Sequence, residues 1–94
     1  TKVVALETAT TGITVNAISP GFVWTPLVEA QLPDIAKSEG ISVEAAKAKV
    51  LSRQPSGEFA TVDQIGSLAT FLASGPAGAI TGANYSIDGG WTAQ

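Results

Sequence analysis

Cysteine, histidine and methionine are all missing from these 94 residues, and the first two absences exclude the most chemistry. Without cysteine there is no disulfide and no thiolate site; without histidine the commonest metal ligand is gone, so no Cys or His metal centre is expected. A Ser-His-Asp or Cys-His arrangement cannot be assembled within the chain. Charge is also scarce, with 14% charged residues and a net charge of -3. Lys2, Lys37, Lys47, Lys49 and Arg53 are scattered and form no basic stripe, so no nucleic-acid partner is expected. No apolar run approaches the roughly 20 residues that span a bilayer, which leaves no membrane partner and a cytoplasmic location as the expectation. Glycine-rich phosphate motifs of the G-x-G-x-x-G and P-loop kinds are absent, as is a nucleophile elbow.

What is present looks like the interior of something larger. The chain is 45% hydrophobic and rich in Ala, Val, Ile and Gly, yet a domain of this length buries only roughly 60 to 65% of its unfolded surface. It has none of the cross-links that small domains use to offset a thin core. Val3, Val4 and Leu6 follow Thr1 at once and need a surface to cover. The chain therefore reads as a carboxyl-terminal piece of a longer polypeptide, whose remainder would be its first partner.

Local signals give an α/β order. Thr1 to about Thr10 reads as a helix end, with Gly12 placed to close it in a left-handed cap. Ile13 to Ile18 reads as a strand, Ile13, Val15 and Ala17 on one side and Thr14, Asn16 and Ile18 on the other. Asn16 is a buried amide that must be hydrogen-bonded, either bracing a neighbouring loop or touching a ligand. Val28 to about Glu39 has helical propensity, interrupted by Pro33 and closed by Gly40. Ser42 caps a helix from Val43 to about Ser52, and Thr61 with Gln64 forms a capping box before the apolar stripe Val62, Ile65, Leu68, Ala69 and Leu72, broadened by Phe71. Ser74-Gly75-Pro76 stops that helix, and Ile80 to Ile87 reads as the last strand, closed by Asp88-Gly89-Gly90. Helix end, strand, helical insertion, helix and strand make a βαβ unit with an elaborated crossover, in which residues 26–57 form a candidate substrate lid.

The segment Ser19-Pro20-Gly21-Phe22-Val23-Trp24-Thr25-Pro26 is the stiffest on the page. Two prolines restrict φ and push Ser19 and Thr25 toward extended geometry, while Gly21 permits backbone angles or an approach distance closed to residues with a Cβ. It follows a strand, and ligands of open α/β sheets sit beyond the carboxyl ends of their strands. The backbone polar groups of Phe22 and Val23 and the Thr25 hydroxyl would then face a polar ligand.

Asn16-Ala17-Ile18-Ser19-Pro20-Gly21 followed by Thr25, with Thr81-Gly82 and Asp88-Gly89-Gly90 about 60 residues on, resembles the carboxyl-terminal third of the short-chain dehydrogenase/reductase family, and the likeness covers essentially the whole chain. The resemblance implies the carboxyl-terminal part of a Rossmann-type doubly wound parallel sheet. It implies an NAD cofactor beside the loop, with Pro20 and Gly21 as the wall, the Val23 backbone on the carboxamide, and Thr25 near the carboxamide or pyrophosphate. The family's catalytic Ser, Tyr and Lys belong upstream; Tyr85 and Lys2 do not match them, so no catalytic residue is assigned here. Residues 20–31 and the ending Gly89-Gly90-Trp91-Thr92-Ala93-Gln94 resemble the branch that oxidises a small 3-hydroxy acid, 3-hydroxybutyrate, to acetoacetate. In that branch Gln31 would bond the substrate carboxylate, and Phe22 and Trp91 would line the substrate pocket. Phe22 departs from a tryptophan frequent in relatives, keeping an aromatic surface without its N–H. The resemblance also implies a homotetramer. A 3-oxoacyl-thioester reductase, a sugar dehydrogenase, or a noncatalytic packing or assembly segment are the competing readings.

Overall fold

A side-chain oxygen starts three of the four α-helices, and those starts set the order of the chain in the computed structural model, which describes residues 1–94. Thr25 accepts from the Val28 amide at 3.2 Å and opens α2 (Pro26–Glu39), with Pro26 in the first turn, where its missing N–H is harmless. Ser42 accepts from Ala45 at 3.0 Å to open α3 (Val43–Leu51). Thr61 and Gln64 cap one another's backbone amides at 3.1 and 2.9 Å to open α4 (Val62–Leu72). The remaining helix, α1 (Lys2–Thr8), has no side-chain cap.

The strands form two parallel pairs. β1 (Ala17–Pro20) pairs with β4 (Asn84–Ile87) in the register Ala17 with Asn84 through Pro20 with Ile87. β2 (Val23–Trp24) pairs with β3 (Ala60–Thr61). Parallel strands with helices in the crossover are the α/β arrangement of a Rossmann-type sheet fragment.

Several boundaries differ from those expected. The first strand begins at Ala17, not Ile13, because Val15 and Asn16 spend their hydrogen bonds on the irregular segment 80–83. For the same reason the last strand begins at Asn84, not Ile80. Gly12 is left-handed, with φ 82°, but α1 has already ended at Thr8 in a turn held by the Thr11 amide on the Thr8 carbonyl. The Pro20–Pro26 stretch contains β2, a pairing too short to leave a periodic signal. Pro33 does not interrupt α2. Its cost of about 3 kcal/mol is offset by the Thr25 cap, the Gly40 left-handed C-cap and the burial of Leu32 and Ala36, while Pro33 itself faces water.

Most of the apolar surface is uncovered. The core is Leu32, Ala36 and Ala46 between α2 and α3, with Trp24, Ile35 and Val50 against it. The Lys47 ammonium lies 4.9 Å from the centre of the Trp24 ring, and the Phe59 ring packs against Trp24 with centroids 5.1 Å apart. By contrast the α4 stripe contributes no buried residue, and Val3, Leu6, Val62 and Phe71 stand in the open. The radius of gyration is 17.2 Å, against roughly 12 to 13 Å for a compact domain of this length. No helix is long and apolar enough to cross a membrane.

Candidate functional site

Beyond the carboxyl ends of β1 and β4 three segments converge: Gly21–Phe22, Gln54–Glu58 and Asp88–Thr92. The Gly21 amide continues the ladder by donating to the Ile87 carbonyl at 3.2 Å. A Cβ on Gly21 would lie 2.8 Å from the Asp88 Cβ and 2.9 Å from its Cα, and would also strike the Gln54 Oε1. The glycine is required here by close approach, not by an unusual φ. Ser56 closes the third side by donating its amide to the Gly89 carbonyl at 2.9 Å.

Asp88 is buried and organises the end of the chain. Its Oδ1 accepts from the Gly90 amide at 3.0 Å, and its Oδ2 accepts from the Thr92 hydroxyl at 2.7 Å and the Thr92 amide at 3.1 Å. The Thr92 hydroxyl, opposed by desolvation and helped by the backbone amides of Thr92, Gly90 and Asp88 itself, lowers the carboxyl below its ordinary value of 3.8. Trp91 is thereby held in the turn after Asp88, and its ring stacks on Phe22 with centroids 5.4 Å apart and planes 17° apart. Two of the expected substrate residues therefore share one aromatic wall.

The expected backbone groups divide sharply. The Phe22 N–H donates to the Gln54 Oε1 and its carbonyl accepts from Ala60 at 3.0 Å, so neither is left for a ligand. Val23 is the opposite case. In a parallel ladder the residue bonded through its preceding carbonyl directs its own N–H and C=O to the far side, and Ala60 takes the Phe22 carbonyl. The Val23 amide and carbonyl thus point away from β3. The Thr25 oxygen caps α2 through a lone pair, which leaves its hydroxyl hydrogen to donate elsewhere.

Pro20 ends β1 where no further N–H is needed, directly before the bend. Gln31 is exposed on α2, next to the buried Leu32, and stands apart from the α2–α3 core. Asn16 braces: its Nδ2 donates to the Ile80 carbonyl at 2.9 Å and its Oδ1 accepts from the Ala83 amide at 3.1 Å, so the ligand alternative is not needed to satisfy it. The widest grooves, about 610 Å³ along α4 and about 580 Å³ along α3, are open helix faces that include none of the seven expected site residues.

Sequence reasoning missed Gln54 and Asp88 as organisers. Asp88 had a local signal, a short carboxylate followed by Gly-Gly and a threonine four residues on, which suits capture of nearby amides. Gln54 had none, because its partner amide on Phe22 is 32 positions away. None of Pro20, Gly21, Phe22, Val23, Thr25, Gln31 and Trp91 carries a group that titrates near neutrality. The arrangement can bind, orient and exclude water, and no group among these seven can act as a proton-transfer base near neutral pH.

Parallel strand pairs joined through helices, with a bend beyond the strand ends, define a portion of a Rossmann-type α/β sheet. The family model described as Enoyl-(Acyl carrier protein) reductase matches residues 1–92, and the chain belongs to the short-chain dehydrogenase/reductase family. It is 57% identical over 95 residues to D-beta-hydroxybutyrate dehydrogenase of Cupriavidus necator and 54% identical over 95 residues to that of Rhizobium meliloti. All of this chain is covered in both cases. The chain spans 37% of the length of each of these relatives. Its fold matches a short chain dehydrogenase family protein of Francisella tularensis with a TM-score of 0.91 at 36% identity, covering 100% of this chain and 39% of that one. It also matches 4-hydroxyisoleucine dehydrogenase complexed with NADH, with a TM-score of 0.81 at 35% identity over 100% of this chain and 35% of that one.

Proposed function

We propose that this chain supplies the nicotinamide-side wall and the substrate lid of an NAD-dependent dehydrogenase that oxidises 3-hydroxybutyrate to acetoacetate. The observation that carries the reading is the Phe22–Trp91 wall beside the outward-facing Val23 backbone, at the strand ends where the fold binds ligands. Likeness to two D-beta-hydroxybutyrate dehydrogenases supports the substrate.

The residues fit one end of a nicotinamide cofactor. Pro20 and Gly21 would back the ring, the Val23 N–H and C=O match the donor and acceptor of a carboxamide, and the Thr25 hydroxyl hydrogen would reach a carboxamide or phosphate oxygen. When bound, NAD accepts the hydride of the alcohol carbon. Phe22 and Trp91 would shield the short aliphatic substrate from water, and the Gln31 amide would donate to its carboxylate once residues 26–57 close as a lid. The base that takes the hydroxyl proton is assigned to residues outside these 94, so the isolated chain is expected to turn over no substrate. A cytoplasmic homotetramer completes the reading, and the open face of α4, with Val62 and Phe71 exposed, is the surface offered for cover.

The family description, which names an acyl thioester substrate, favours one rival, a reductase of the 3-oxo group of an acyl thioester. Gln31→Ala in the full-length protein separates the two. Loss of a hydrogen bond to a carboxylate costs roughly 1.5 to 3 kcal/mol, at least a tenfold fall in kcat/KM for 3-hydroxybutyrate. A thioester, having no free carboxylate, would be reduced equally well by the variant. An unchanged kcat/KM for the free acid would remove Gln31 from the site.

A further inference from the structure

We propose that Gln54 is a positioning residue for this site, fixing the Phe22 backbone, and through it the aromatic wall and the Val23 edge, to the turn that ends the lid helix α3. The proposal rests on the function proposed above. Gln54 is only 2% exposed and both ends of its amide are used. The Oε1 accepts from the Phe22 N–H, and the Nε2 donates to the Glu58 carbonyl at 2.7 Å. Its own backbone amide donates to the Leu51 carbonyl at 3.0 Å, and its carbonyl accepts from Gly57 at 2.8 Å. Gln54 thus joins three things: the last residue of α3 through its own backbone amide, and the turn that leads into β3 and the bend after β1 through its side chain.

A buried amide with donor and acceptor both satisfied has one orientation, since a flip would set like against like at both ends. Gly21 adds a second constraint, because its missing Cβ is what lets the Gln54 oxygen and Asp88 approach the bend from two sides. Phe22 is therefore held at its N–H by Gln54, at its carbonyl by Ala60 and at its ring by Trp91. A shift of the α3 end would be passed to the wall through Gln54 alone among side chains hydrogen-bonded to Phe22.

The test is made on the full-length protein with Gln54→Met, which keeps length and removes both hydrogen bonds. The KM for 3-hydroxybutyrate, the kcat per folded enzyme and the Kd for NADH by fluorescence titration are measured well below the unfolding midpoint. A merely structural role lowers the folded fraction and leaves kcat per folded enzyme, KM and Kd unmoved. A positioning role raises KM or Kd at least fivefold; the rise in KM shrinks when Phe22→Ala has already removed the ring that Gln54 holds, while a rise in Kd, carried by the Val23 backbone, persists because alanine keeps the N–H that Gln54 binds. KM and Kd both within twofold of wild type overturn the proposal. Should Gln54→Met not fold, Gln54→Asn, which draws the amide back by one methylene, carries the same test; failure of both to fold assigns the residue to structure alone and also overturns it. If the wild type binds NADH without oxidising 3-hydroxybutyrate, the substrate reading fails and the Kd comparison still decides Gln54. A wild type that binds no NADH ends both.

Discussion

Phe22 and Trp91, from opposite ends of the chain, stack at 5.4 Å with nearly parallel rings, and each is positioned by its own polar anchor, Gln54 for one and Asp88 for the other. An aromatic pair of this kind contributes about 0.5 to 1.5 kcal/mol beyond the area it buries. A double-mutant cycle with Phe22→Leu and Trp91→Leu in the full-length protein, read by urea unfolding, should return a coupling in that range. A coupling of zero would mean that the rings are neighbours without mutual support.

Gly21→Ala places a methyl group within 3 Å of Asp88 and against the Gln54 amide. The backbone of Asp88 cannot retreat without breaking the Thr92 and Gly90 hydrogen bonds. Overpacking of this kind costs roughly 1 to 3 kcal/mol, and thermal unfolding should register it as a clear fall in Tm. A neutral substitution would show that the bend has room to move.

Asn16→Leu leaves the Ile80 carbonyl and the Ala83 amide without their partner. Leaving such groups unsatisfied costs about 1 to 3 kcal/mol. Hydrogen exchange offers the local check: the Ala83 amide should lose protection in the variant while the α2–α3 core keeps its own.

Asp88 gives a pH dependence whose sign is fixed. Because the Thr92 hydroxyl lowers its pKa in the folded chain, the unfolded chain binds more protons at this position as pH falls. The stabilisation is fully present above the ordinary value of 3.8 and is lost as pH drops through the lowered folded value. Asp88→Asn should therefore be less stable at neutral pH and show a shallower loss of stability on the acid side. Parallel acid limbs for wild type and variant would place the acid sensitivity elsewhere.

Features encoded within a few residues of one another were legible before the structure. The Thr61–Gln64 capping box and the Ser42 cap follow from local chemistry and both are present; the need for Asn16 to be bonded was also readable, though its partners, 64 and 67 positions away, were not. The apolar stripe of α4 was equally readable, yet it lies open, because periodicity reports a face and not what covers it. β2 and β3 left no trace, since two residues are too few for an alternating pattern. In the site, the bend at Gly21 was visible in its prolines. The stack of Phe22 on Trp91 and the grip of Gln54 on Phe22 were not, because both depend on contacts that only the folded chain makes.

The clasp between Asn16 and the segment before β4 spans 67 positions at its longest, from Asn16 to Ala83. Bringing ends so far apart into register costs roughly 4 kcal/mol of chain entropy before any ladder bond repays it. The α2–α3 hairpin, with its short connection and its own caps, bears no such burden and can form first. On contact order alone the β1–β4 pair is expected to assemble after that hairpin, and the bend that carries the site to take its shape with it.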